Sequence, residues 1–83
     1  MVTINRTILL NTLIRHETLT IGDIAKEENL GMIPNEDHLL FLLTELSESG
    51  HIYLLSGVVP STYTITNKGI TEGMRLNKEL SIL

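Results

Sequence analysis

Cysteine and tryptophan are missing from this 83-residue chain, and phenylalanine and alanine each occur once. Without cysteine there is neither a disulfide framework nor a thiolate metal site to supplement a small core. No apolar run approaches the roughly 18–20 residues that span a bilayer. Met1 to Arg15 carries polar residues every few positions, unlike a secretory leader. A soluble, cytoplasmic protein without membrane contact is the expectation. Metal-ligand spacing is lacking too, since His16, His38 and His51 form no HxxxH or HxH pattern. The serines sit in no strained-elbow or SxxK setting, and no glycine-rich phosphate loop follows a strand. We therefore expect no enzyme, no cofactor and no metal.

What the sequence has in abundance is leucine and isoleucine, which supply 25 of its 83 residues. A chain of this size removes only roughly 60% of its unfolded surface from water. Such apolar density therefore argues for one packed domain over residues 1–83 and against disorder.

Periodicity divides the chain. Leu9, Leu10, Leu13 and Ile14 form a stripe at helical spacing in a first helix that Thr3 can cap and that runs to about Arg15. Ile4 and Ile8 fall on its other side as a second apolar strip. Thr20, followed by Asp23, opens a helix through Asn29 that buries Ile21, Ile24 and Ala25 and stops at Gly31. Leu30 to Asn35 is a connector containing Pro34. Asn35 caps a third helix from Glu36 to about Ser49, with Leu39, Leu43 and Leu46 in line and Gly50 as its end.

After Gly50 the period changes to two. His51–Leu55 and Thr62–Thr66 read as strands, with Ile52, Leu54, Tyr63 and Ile65 inward and Thr62, Thr64 and Thr66 outward. Ser56 to Ser61 joins them as a hairpin loop. Thr66 or Asn67 then starts a last helix carrying Ile70, Met74, Leu76, Leu80 and Leu83.

Three stretches in this order carry a resemblance: LTIGDIAKE from Leu19, LTELSESGHI from Leu43 and YTITNKGI from Tyr63. They resemble the second helix, the end of the third helix, and the second wing strand entering the last helix of MarR-like and PadR-like bacterial transcriptional regulators. The resemblance covers nearly the whole chain. It implies an α+β, mainly α fold: a winged helix-turn-helix with three helices, a two-stranded hairpin wing and a C-terminal helix. It also implies a homodimer built from the first and last helices, which makes Ile4, Ile8, Ile70, Met74, Leu76, Leu80 and Leu83 candidate interface residues. In that family the third helix enters the DNA major groove and basic residues hold the phosphates.

Charge departs from that pattern. The net charge is −4, but residues 17–48 hold eight acids against Lys26 alone, and no Arg or Lys occurs from residue 27 to residue 67. With Leu43 at the centre of the buried face, Phe41 lies about 200° around the helix. Asp37, Glu45 and Glu48 surround it, and Thr44 and His38 complete that face. Acids in this position repel phosphate and suit a basic protein partner. The expected site is therefore a protein-binding surface of Phe41, Asp37, Glu45 and Glu48, extended by Val58 and Val59 of the wing. The alternative is a DNA-binding regulator docking in an unusual orientation through Arg6, Arg15, Lys26 and Lys68.

Overall fold

A computed structural model describes residues 4–82, with side chains described through residue 78. The first helix, α1 (Arg6–His16), is capped by Asn5, whose Oδ1 accepts the Ile8 N–H at 2.9 Å. The cap expected at Thr3 falls outside the described residues. Capping at Asn5 leaves Ile4 just before the helix, where it folds into the core at 2% exposure. Ile4 and Leu9 thus occupy the two positions of a hydrophobic staple. His38 Nε2 lies 3.1 Å from the Ile4 carbonyl and ties this entry segment down.

Leu9, Leu10 and Leu13 are fully buried, and Thr12 joins them because its hydroxyl donates to the Ile8 and Asn29 carbonyls. Glu17, with φ +70°, ends the helix and turns the chain into a short strand, β1 (Thr18–Thr20).

That strand has no counterpart in the sequence reading. Three residues are too few to show an alternation, and β1 exists because β3 (Thr62–Ile65) pairs with it antiparallel, Leu19 opposite Tyr63. The expected two-stranded wing is therefore part of a three-stranded sheet in the order β1-β3-β2, with β2 spanning Ile52–Leu54.

Thr20 caps α2 (Ile21–Ile24) as expected, accepting the Asp23 N–H. The helix expected to continue through Asn29 instead breaks at Ala25-Lys26 and restarts as α3 (Glu27–Leu30). Asn29 holds the break, its Nδ2 donating to the Asp23 carbonyl at 2.6 Å. Gly31, at φ +80°, ends α3 in the left-handed conformation that favours glycine.

The fourth helix, α4 (Glu36–Glu48), has the expected cap at Asn35 and buries Leu39, Leu42, Leu43 and Leu46. Gly50 donates to the Ser47 carbonyl and His51 to the Leu46 carbonyl, the two bonds of a Schellman ending.

Two expected strand orientations are corrected. Leu54, the last residue of β2 before the hairpin loop, is 44% exposed, whereas Thr62, at the start of the central strand, is buried and donates to the Pro60 carbonyl.

The last helix, α5 (Asn67–Ile82), is seated by Thr66, whose hydroxyl accepts the Gly69 N–H and lies 2.7 Å from the Gly50 carbonyl. It packs on α1, with Gly73 against Leu10 and Ile14. The core joins Ile4, the α1 leucines, Ile24, Leu30, Leu39, Leu42, Leu43 and Leu46 of α4, Ile52 and Tyr63.

Candidate interaction surface

The outer face of α4 follows from its phase. With Leu39, Leu42, Leu43 and Leu46 turned to the core, Asp37, Phe41 and Glu45 stand one turn apart on the opposite side, followed by Glu48. Phe41 is 60% exposed, and with Thr44, Glu45, Glu48 and Ser49 it lines a shallow depression. His38 does not belong to this face; it is half-buried and turned toward Ile4.

Val58 and Val59 are exposed on the loop between β2 and β3, together with Tyr53 and Leu54, but they do not line the depression at Phe41. The wing thus offers its own apolar group. Leu54 escaped the sequence reading because strand alternation placed it inward.

The four candidate DNA contacts are engaged by the fold itself. Arg6 Nη2 is 3.4 Å from Glu72 Oε2, Arg15 donates to the Asn29 carbonyl at 2.8 Å, and Lys26 is 3.1 Å from Asp23 Oδ1. Lys68 Nζ donates to the Ser49 carbonyl at 2.6 Å, a cation at the C-terminus of α4 where the helix dipole is negative. Lys26 beside Asp23 holds that carboxyl below its ordinary range, and Arg75 does the same to Glu72.

Of the candidate dimer residues, Ile4 lies in the core and Leu76 and Ile8 pack against it, so the second apolar strip of α1 serves folding. A core that needs both sides of α1 explains the apparent surplus. Ile70 is half-buried and Met74 is 65% exposed. The side chain of Leu80, and Leu83 altogether, lie outside the described residues.

His51 joins α4, β2 and α5. It is buried at 8% exposure, and its Nδ1 lies 2.5 Å from Ser49 Oγ. Burial, reinforced by the positive charges of Lys68 and Arg6 and opposed by Glu72, holds its pKa below the ordinary 6.5. The unfolded chain then binds the proton more readily than the fold. The stability contributed by the neutral ring is complete above about pH 6.5 and is lost as pH falls through that value toward the lower folded pKa. Thermal unfolding should show a midpoint that falls as pH drops below about 6.5, and His51→Gln should flatten that fall. An unchanged slope in the variant would assign the effect to other groups.

Among the described residues no group of three His, Asp or Glu is placed to hold a metal ion, and no helix is long and apolar enough to cross a membrane.

Mainly α with a small antiparallel three-stranded sheet, the architecture is consistent with a winged-helix fold. It is similar to a solved structure of a transcriptional regulator from Clostridium thermocellum, with a TM-score of 0.78 and 23% sequence identity over 93% of this chain and 80% of that one. No protein-family model matches the chain, and no curated protein matches it.

Proposed function

We propose that this chain is a non-catalytic, regulatory winged-helix unit that meets protein through the outer face of α4. The observation that carries the reading is Phe41, 60% exposed on the helix such folds present to their targets and ringed by Asp37, Glu45 and Glu48. An aromatic centre with a charged rim is how protein interfaces are organised, and the sign of the rim selects a basic partner. Val58 and Val59 add a second apolar contact from the wing. One such unit over residues 1–83, acting in the cytoplasm, completes the reading. Two copies pair through the outer side of α5, which carries Ile70 and Met74 among the described residues.

The likeness to the Clostridium thermocellum regulator favours a second reading, a DNA-binding regulator. It would dock through Arg6, Arg15, Lys26 and Lys68 and would have to draw each from the partner it has within the fold.

A photo-reactive benzoylphenylalanine at position 41, irradiated in cells, separates the two. The first reading expects an adduct that protease removes and nuclease does not. Nuclease-sensitive adducts would put nucleic acid on the α4 face and overturn the first. In parallel, Phe41→Ala should leave the folding stability within the about 0.5 kcal/mol typical of surface changes, while weakening capture of the cross-linked protein by roughly 1–3 kcal/mol.

A further inference from the structure

A second concavity, which shares no lining residue with the depression at Phe41, lies between α2 and the first turn of α4. It has a volume of about 340 Å³ and apolar walls that include Ile21, Ala25, Ile33, Pro34 and Leu40, with Glu36 the one charged group lining it. Two features of the groove have no use in folding. Ile33 is 79% exposed beside it. Gly22, on its wall, has no positive φ, and a Cβ there would find nothing nearer than Thr20 Oγ1 at 4.0 Å. Neither a positive φ nor a close packing contact requires glycine at this second position of α2. What the missing side chain provides is open space in the groove.

The charge around the groove selects its occupant. Glu36 lines it, and Asp37, Glu27 and Glu28 are exposed on the neighbouring first turns of α4 and α3. The N-terminus of α4 offsets only about half a unit charge. Lys26, next to Ala25, is paired with Asp23 at 3.1 Å. Phosphates and acidic small molecules are repelled from such a rim.

We propose that this groove receives an apolar side chain from a protein segment in which lysine or arginine flanks that side chain, the cations meeting Glu36 and Asp37. The proposal rests on the reading that this side of the fold meets protein; it shares Asp37 with the Phe41 face, but the residues lining the groove are different ones.

The test is a methyl NMR titration of the full chain with a synthetic amphipathic helix of leucine and lysine, and with its counterpart in which glutamate replaces lysine. The lysine peptide should shift the methyl signals of Ile21, Ala25, Ile33 and Leu40, and the glutamate peptide should not. Gly22→Leu fills the groove at an exposed position where no neighbouring atom opposes a Cβ, so its thermal midpoint should not fall. It should weaken the lysine peptide by at least about tenfold, the equivalent of one large side chain left in water. Glu36→Lys should also weaken it, and Phe41→Ala should not.

Equal binding by both peptides, or parent-like binding by Gly22→Leu, overturns the proposal. If Phe41→Ala abolishes binding while Gly22→Leu does not, the groove falls and the Phe41 face stands. Loss in Gly22→Leu together with nuclease-sensitive adducts at position 41 leaves the groove standing and removes the Phe41 reading.

Discussion

Gly69→Ala should be among the most damaging single-atom additions to this fold. A Cβ at Gly69 would lie 2.0 Å from the His51 carbonyl oxygen and 2.7 Å from Ile65 Cδ1. The first obstacle is backbone at the start of β2, held by the Thr66 N–H and hydroxyl on the same oxygen. It cannot give way without opening the junction of α4, β2 and α5. We expect a loss of about 3 kcal/mol or more, the upper end of overpacking costs. For a chain of this size that lowers the thermal midpoint by roughly 12–24 °C.

Gly73→Ala is the control on the same helix. Its Cβ would meet Ile14 Cδ1 at 2.5 Å, the far end of a flexible side chain, with Leu10 Cβ at 3.7 Å. Rotation of Ile14 relieves that contact, and the gain in helix propensity of about 1 kcal/mol offsets much of what remains. Equal losses at the two positions would mean that α5 does not approach β2 as closely as described.

Reversing the charge on the α4 face should produce the largest change in binding. Asp37→Lys, Glu45→Lys and Glu48→Lys together replace three repelling groups with three cations on a surface that carries no buried side chain. If α4 is presented as in DNA-reading winged helices, each lysine can neutralise one phosphate and release its counterion. Three added contacts steepen the salt dependence by about 2.7 in log–log slope and tighten binding of mixed-sequence duplex by roughly 10²-fold near 0.1 M salt. A triple variant that binds no better than the parent would show that this face cannot reach a groove whatever its charge. The altered residues are exposed, so the fold should survive, apart from the loss of the favourable interaction of Asp37 with the α4 N-terminus, worth about 0.3–1 kcal/mol.

What could be read from the sequence was set by the range of the forces involved. The cap at Asn35, the stop at Gly31, the phase of α4 and the ending at Gly50 are decided within a few residues. A local pattern therefore displays them, and the exposure of Phe41 follows from that phase. Strand β1 was invisible because its hydrogen-bonding partner lies more than forty residues away on β3. The break between α2 and α3 depends on one side-chain bond from Asn29 to Asp23 that propensity does not encode. Ile4 and Ile8 have the spacing of a spare apolar strip, and only the docking of α3 and α5 on α1 shows that the core absorbs it. His38 sits at an outward-reading position but turns to the Ile4 carbonyl, a contact made across 34 residues. The groove at Gly22 is assembled from three segments, so no single stretch announces it.

The account's central claim is that α4 and the wing of this winged-helix fold are turned from nucleic acid toward protein. The measurement that addresses it most directly is equilibrium binding of the unmodified full chain to mixed-sequence duplex DNA, repeated between about 50 mM and 200 mM salt. The account predicts a dissociation constant no tighter than about 10⁻⁵ M near physiological salt, with a shallow salt dependence, the range of weak non-specific contact. Sub-micromolar binding that falls steeply with salt, with a slope corresponding to several neutralised phosphates, would contradict it.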